Sequence, residues 1–395
     1  MRIAIFTEAY LPRINGVVTH IKLLKEGLEA LGHQVLIVTA DGDTKKHYLE
    51  NGVLHCPGIK MKQKLSGFET SLPLSRTRLH YVRDFDPDVI HVETEFGMGL
   101  CGMSIAKYLK VPLVYTMHTM YDEYIYYIAP KLLADPAKKL SHTYMKTFAN
   151  RANAITGPSE KCSEYLRGAG VRMPVNVIPN PVELDDFSPE HYNEEEKNAL
   201  RDRLGIPRDA MLACFVGRLG REKSIDLLIR WWNQVVPKSE NLYLLIVGGG
   251  PEEATLRSII AELGCGDRVI MSGSVQHPQL PPYLLASDIY VTASLSDTNS
   301  ISMLEGMAAG LPVLQRTDPI NADQVRDGEN GWSFDSPEQL YHWLCHFRDL
   351  PQEEKESLKA STRQSIMNAG ATALGERTLK IYELAINAYK AKNKK

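Results

Sequence analysis

The sequence predicts an α/β protein of two Rossmann-like domains, each a parallel sheet covered by helices, facing each other across an interdomain cleft. Three observations predict it. Short β-branched runs alternate with helical patterns along the whole chain, which is how βαβ units read in sequence. The rhythm breaks once, at Ile178–Phe187, where two prolines and three acidic residues mark a connection, and then it restarts. At 395 residues the chain is also too long for one ordinary core and suits two domains of roughly 150–200 residues. Ligands of such sheets bind beyond the carboxyl ends of the strands, so function is expected in the cleft.

Arg2–Phe6 opens the first domain as an apolar strand. The loop after it holds Pro12 and Gly16. A helix follows with Ile21, Leu24, Leu28 and Leu31 on one face, stopped by Gly32. Val35–Thr39, Val89–Val92, Val111–Met117, Ala154–Thr156 and Val175–Ile178 read as the remaining strands of this half. In the second half the strands are Met211–Val216, Leu242–Val247, Val269–Met271, Ile289–Thr292 and Leu311–Leu314. Between them, Glu252–Leu263 sets Leu256, Ile259, Ile260 and Leu263 in a buried stripe. From Pro337 the chain is helical and closes in a lysine-rich tail. The expected domains are therefore residues 1–180 and 181–374, with the helix at about 375–395 packing back on the first.

Composition removes several function classes. Apolar residues make up 44% and charged residues 24%, a balance that suits a globular protein and not a disordered one. No run approaches the roughly 18 apolar residues of a membrane span, and Met1–Phe6 enters a strand pattern without an apolar leader, so a cytoplasmic location is expected. The six cysteines lie far apart with no C-x-x-C pair, and read as reduced thiols, neither a disulfide framework nor a zinc site. Residues 1–180 carry 22 Lys/Arg against 17 Asp/Glu, while the remainder carries 23 against 31. A basic half joined to an acidic half suggests that the first faces something anionic. With a sequence pI near 6.5 and no basic, aromatic-interleaved module, nucleic acid is not the expected partner.

The motifs sit at strand ends. Neither G-x-G-x-x-G nor a Walker loop follows the first strand, which argues against a nicotinamide dehydrogenase and a P-loop NTPase. Instead Thr7-Glu8-Ala9-Tyr10-Leu11-Pro12-Arg13-Ile14-Asn15-Gly16 opens the first helix, and Gly16 would let a phosphate approach backbone amides at the positive end of its dipole. In the second half, Phe215-Val216-Gly217-Arg218-Leu219-Gly220-Arg221-Glu222-Lys223 places Arg218 and Lys223 beyond a strand, where a guanidinium fork and an ammonium can converge on one diphosphate. Val247-Gly248-Gly249-Gly250-Pro251 permits close backbone approach. Finally, Asp297 sits in a loop and Glu305 inside the helix that follows, with seven residues between them. The amides from Thr298 to Ser302, including those of Asn299, Ser300 and Ile301, form a helix start suited to an anionic group. Glu305 on an otherwise apolar helix needs hydrogen-bonding partners, and two ribose hydroxyls would serve.

Together with Val177-Ile178-Pro179-Asn180-Pro181-Val182-Glu183 and Glu305-Gly306-Met307-Ala308-Ala309-Gly310-Leu311-Pro312-Val313, this ordered set resembles glycosyltransferase family 4 over nearly the whole chain. The resemblance implies a GT-B fold and a retaining hexosyltransferase that uses a nucleotide-sugar donor, with the first domain binding the acceptor and the second the donor. Arg218 and Lys223 would hold the donor diphosphate, and Gly16 would approach it from the other domain. Glu305 would take the ribose hydroxyls, Asp297 a hydroxyl of the transferred sugar, and His118, after a strand of the first half, a place beside that sugar. Phe6-Thr7-Glu8-Ala9-Tyr10-Leu11-Pro12 and Tyr115-Thr116-Met117-His118-Thr119-Met120-Tyr121 look most like bacterial diacylglycerol glucosyltransferases and phosphatidylinositol mannosyltransferases. That likeness points to UDP-glucose as donor, a membrane lipid such as diacylglycerol as acceptor, and a peripheral position at the inner face of the cell membrane.

The chain departs from the family pattern at four places, the fourth being Asn299 near the acid pair. Asp297 stands where Glu is usual, Pro181 where Gly commonly follows Pro-Asn, and Ser224 where Gly commonly follows the lysine. The shorter carboxylate puts the identity of the donor sugar in question. No tightly bound cofactor is expected and no metal ligands are assigned. Asp41-Gly42-Asp43 reads as a turn, so any Mg²⁺ dependence would be indirect. Three alternatives remain open: a glycosyltransferase with a soluble acceptor, a sugar-nucleotide-binding regulator whose Asp297 has cost it transfer, and a nucleotide-sugar epimerase of the same fold, which would convert donor without acceptor. The oligomeric state is not legible. For the membrane surface, two segments mix cations with apolar residues. Lys60, Lys62, Lys64, Arg76, Arg78 and Arg83 interleave with Ile59, Met61, Leu65, Phe68, Leu72 and Leu74. Lys131, Lys138, Lys139, Lys146 and Arg151 interleave with Leu132, Leu133, Leu140, Tyr144 and Phe148.

Overall fold

The computed structural model describes residues 1–13, 15–60, 69–125, 133–321 and 324–393. They form two units, Met1–Pro181 with Gly370–Lys395, and Val182–Ala369. Ile14, Met61, Lys62, Lys64, Leu65, Phe68, Lys131 and Leu132, named above, lie outside the described residues.

The strands of the first unit are β1 (Arg2–Thr7), β2 (Gln34–Asp41), β3 (Tyr48–Glu50), β4 (Val53–Pro57), β5 (Ile59–Lys60), β6 (Glu69–Thr70), β7 (Val89–Val92), β8 (Leu113–Thr116), β9 (Ala154–Gly157) and β10 (Val175–Val177). The main sheet runs β10-β9-β8-β7-β1-β2-β4-β3, parallel throughout except for the β3–β4 hairpin, and β5 and β6 pair separately. Ile3, Ala4, Ile5 and Phe6 are all fully buried, because a central parallel strand is covered on both faces and must be apolar on both. The hairpin is absent from the sequence reading. Its signal is Asn51-Gly52, whose φ values of 49° and 75° are those a tight two-residue turn demands.

The first helix, Gly16–Ala30, starts where the Asn15 side chain accepts from the Val18 amide at 3.0 Å, and it buries Ile21, Leu24 and Leu28. Against it packs the last helix, Ala371–Asn393, whose Leu374, Ile381, Tyr382 and Ala385 join the same core. The approach is close enough to require glycine: a Cβ on Gly27 would stand 2.0 Å from the Ala371 carbonyl oxygen. This helix therefore belongs with the first unit although it ends the chain.

The second unit holds β11 (Met211–Val216), β12 (Leu242–Val247), β13 (Val269–Gly273), β14 (Ile289–Thr292), β15 (Val313–Arg316) and β16 (Gly331–Phe334). They form one parallel sheet in the order β13-β12-β11-β14-β15-β16. Strand β16 was not foreseen either. Gly-Trp-Ser-Phe is short and begins with a residue that strands disfavour. In both sheets the chain builds outward on one side of the first strand and then returns to the other. The switch points accordingly lie beyond β1 and β7 in the first unit, and beyond β11 and β14 in the second. No described helix is long and apolar enough to cross a membrane.

Candidate functional site

Arg218, Lys223, Asp297 and Glu305 all lie on a loop or helix that leaves β11 or β14. Arg218 follows β11 and donates to Glu222 Oε1 at 3.0 Å, with Arg218 half-exposed and the Glu222 side chain buried. Lys223 forms an ion pair with Asp297, which ties the loop after β11 to the loop after β14. Asn321 then fixes that second loop, donating to the carbonyls of Asp297 at 2.8 Å and Thr298 at 3.1 Å. Asn299 and Ile301 are buried, and Ser300 caps the helix Ile301–Ala308 by accepting from the Met303 amide at 3.3 Å. The arrangement sets Lys223 on Asp297 at the start of the helix Ile301–Ala308, with Arg218 on the same loop as Lys223, a combination of cations and helix start that suits an anionic ligand.

The glycines of this region pack loop on loop. Gly217 and Gly248 take φ values of 156° and 142°, and a Cβ on Gly248 would lie 1.9 Å from the Gly217 carbonyl oxygen. The Gly248-Gly249-Gly250 turn thus gives the close approach expected of it, but to the neighbouring loop.

Glu305 finds a partner that the sequence did not suggest. His277 Nε2 donates to Glu305 Oε1 at 2.8 Å, and Glu183 Oε2 stands 3.8 Å from His277 Nδ1. The bond to Glu305 raises the pKa of His277 above the ordinary histidine value, against an opposing effect of burial. Burial raises the carboxyl of Glu305, and His277 offsets part of that shift.

In the first unit Gly16 is the exposed first residue of its helix, with its amide among those a helix leaves unpaired. His118 follows β8 and donates from Nε2 to Glu93 Oε2 at 2.6 Å. Glu93 follows β7 and is 1% exposed. Around this pair lies a buried polar group. His20 bonds Asn180 Oδ1 at 3.0 Å and meets the His118 ring edge-on at 4.7 Å. His91 reaches the Tyr382 hydroxyl at 2.9 Å and Thr116 Oγ1 at 2.6 Å. Burial pushes His20, His91 and His118 each down to about 4. The ligand atoms of His20, Glu93 and His118 lie within 4.8 Å of one another, a donor set that could also hold a metal ion. Nearby, Glu95 accepts from the Tyr115 hydroxyl at 2.6 Å, and burial pushes its carboxyl up to about 7.

Comparison with known proteins now has a geometry to explain. Residues 14–186 match Glycosyltransferase Family 4 and residues 196–362 match Glycosyl transferases group 1. An alpha-monoglucosyldiacylglycerol synthase of Acholeplasma laidlawii is 34% identical over 89% of each chain. The chain belongs to glycosyltransferase family 4. A second alpha-monoglucosyldiacylglycerol synthase, from Streptococcus pneumoniae, is 29% identical over 83% of this chain and 74% of that one. Among solved structures, Anabaena Alr3699/HepE in complex with UDP superposes with a TM-score of 0.72 at 17% identity, covering 97% of this chain and all of that one. Sucrose-phosphate synthase from Thermosynechococcus elongatus gives 0.73 at 19% identity, over 98% and 99%. These likenesses show the GT-B fold, and the chain is a glycosyltransferase.

For this family 4 chain, the residues that sequence reasoning missed are partners: Glu222, His277, Asn321, His20, His91 and Glu93. One signal was available. His91-Val92-Glu93 places two polar side chains at the end of an otherwise apolar strand, where nothing but a site or a network would keep them. The membrane segments need a correction. Arg78 is buried and donates to Met98 Sδ at 3.0 Å and to the Leu72 carbonyl. Phe148 is buried edge-on against Tyr115 at 4.9 Å. Both were read as surface residues because their neighbours in sequence are charged, but they are the inward positions of their helices. Ile59, Leu72, Leu74, Leu133 and Leu140 remain exposed.

Proposed function

We propose that this chain transfers glucose from UDP-glucose, with retention, to a hydroxyl of diacylglycerol at the inner face of the cell membrane. The observation that carries the reading is the Lys223–Asp297 pair, which bridges the two loops at the switch point of the second unit, the first of which also carries Arg218. A lysine held by a carboxylate is poised to exchange it for a donor diphosphate, releasing Asp297 toward a sugar hydroxyl. The naming of two relatives as monoglucosyldiacylglycerol synthases supports the acceptor, and the Anabaena structure with UDP-glucose supports the donor.

In the step, the anomeric C–O bond to the diphosphate breaks, and the acceptor oxygen bonds to the same face of C1. The acceptor proton passes to the leaving phosphate oxygen. Arg218 and Lys223 neutralise charge that grows as UDP departs, which is where electrostatic stabilisation is most effective. Glu305 accepts from ribose hydroxyls, and the amides from Asn299 to Ile301 face the diphosphate. In the first unit, Gly16 serves the diphosphate and His118 the transferred sugar. The exposed Ile59, Leu72, Leu74 and Leu140, with Lys138, Lys139 and Lys146 beside the last, suit reversible contact with an anionic leaflet.

The test is incubation with a panel of nucleotide sugars and vesicles containing diacylglycerol, read by mass spectrometry of the lipid fraction. Alpha-glucosyl diacylglycerol from UDP-glucose is expected. Glycosylation of soluble acceptors alone, or donor binding without transfer or hydrolysis, would replace this reading. Cosedimentation with anionic but not neutral vesicles is expected at low salt. Equal failure with both would remove the membrane from the proposal.

A further inference from the structure

We infer that Glu93 is a positioning residue, which holds the proton of His118 on Nε2 so that His118 meets the donor sugar as a hydrogen-bond acceptor through Nδ1. The inference deepens the reading given above and rests on His118 lying beside that sugar. Its basis is a buried chain of polar groups. Glu93 is 1% exposed and its Oε2 takes the Nε2 proton of His118 at 2.6 Å. Its other oxygen, Oε1, makes no hydrogen bond, and His91 Nδ1 stands 3.3 Å from it. That His91 is itself engaged at both nitrogens, by Tyr382 and by Thr116, and Thr116 bonds Thr156 at 2.6 Å.

A carboxylate only accepts hydrogen bonds. Were the His118 proton to move to Nδ1, a buried carboxylate would face the lone pair of Nε2, with its second oxygen already unpartnered. The tautomer is set by the bond that the far nitrogen makes. Turning the ring would break the bond to Glu93, and His20, anchored through Asn180, stands edge-on against it. Strand β7 supplies His91 and is followed directly by Glu93, β8 supplies Thr116, and the last helix supplies Tyr382, so the chain roots one loop histidine in the core of the unit.

Nitrogen NMR of ¹⁵N-histidine-labelled full-length protein reads the tautomer directly, with His118→Asn assigning the resonance. At pH 7 the expected state is neutral, with Nε2 protonated. Glu93→Gln can donate as well as accept, so it should give mixed tautomers and lower kcat by about tenfold or more, with the donor KM within about twofold. Glu93→Asp keeps an acceptor and should recover part of the rate. An Nδ1–H tautomer or an imidazolium in the wild-type protein at pH 7 would overturn the inference. So would a stoichiometric metal ion found by elemental analysis and lost in His20→Ala, since Nε2 would then be a ligand. If Glu93→Gln scrambles the tautomer but keeps kcat, the link to catalysis fails while the tautomer assignment stands. The wild-type spectrum needs no substrate, so its outcome is separate from that of the transfer assay.

Discussion

His118 donates to Glu93 at 2.6 Å in the first unit, and His277 donates to Glu305 at 2.8 Å in the second, yet the two imidazoles titrate in opposite directions. Surroundings decide it. The His118 ring packs beside the buried His20 and Glu93, and loss of water lowers its pKa to about 4. His277 sits in a one-turn segment at the surface edge of its sheet, with Glu305, Glu183 and Asp186 all favouring its charged form, and its pKa rises. The first unit offers a neutral, core-rooted histidine; the second pairs a histidine of a one-turn segment, its charged form favoured, with a helix glutamate. One is built for fixed geometry, and the other for holding and exchanging charge.

The largest way to break the comparison is acid. Histidines buried neutral stabilise the fold fully above their unfolded pKa of 6.5, and that contribution is lost as pH falls toward about 4. At pH 5 each would cost up to about 2 kcal/mol, less for three that repel one another. The raised His277 has the opposite sign: its contribution is full below 6.5 and lost as pH rises through the folded value. Hydrogen exchange at pH 5 and pH 8 should therefore show residues 1–181 loosening on the acid side while the His277–Glu305 region tightens. Parallel behaviour of the two would refute the contrast.

Charge removal comes next. Lys223→Ala or Arg218→Ala should cut turnover about 100-fold, because each loses a contact that strengthens as the diphosphate leaves. Steady-state kinetics with melting curves checks this, since both side chains are partly exposed and the fold should hold. Near-normal turnover in both would remove the donor site from these loops.

A smaller effect separates the roles of the two glutamates. Glu305→Gln should weaken donor binding by about 1.5 kcal/mol, through loss of charge-assisted hydrogen bonds. Because His277 then loses its partner, its raised pKa should fall back, and any weakening of donor binding toward alkaline pH should flatten. Calorimetric titration across pH 6–9 measures both. A retained pH slope in Glu305→Gln would place its origin elsewhere.

The strands of the two parallel sheets, apart from the β3–β4 hairpin and β16, could be read because apolar β-branched runs and glycine stops are local signals. Arg218, Lys223, Asp297 and Glu305 are positions that family spacing marks in the sequence itself. Their partners are not so marked. His277 and Glu305 are 28 positions apart and His91 and Tyr382 are 291 apart, and no periodicity links residues joined only by strand crossovers. The same limit misplaced Arg78, a charged residue whose burial depends on where Met98 and the Leu72 carbonyl happen to fall.

The smallest effect concerns Ser224, directly after Lys223. It takes φ 52° and ψ 35°, a left-handed conformation, and its side chain does not cap the helix Ile225–Val235 that it precedes. A side chain there costs roughly 1 kcal/mol, and glycine would remove that cost while adding freedom to the unfolded chain. Ser224→Gly should therefore gain about 0.5 kcal/mol and raise the melting temperature by roughly 1–2 °C. The matching change in the first unit, Thr116→Val, breaks the buried bond to His91 and should cost about 1–2 kcal/mol. The opposite signs follow from the contrast between a loop-borne site and a core-rooted one. If Ser224→Gly instead lowers turnover with stability unchanged, the strained turn is what holds Lys223 against Asp297, and the second site is more rigid than its exposure suggests.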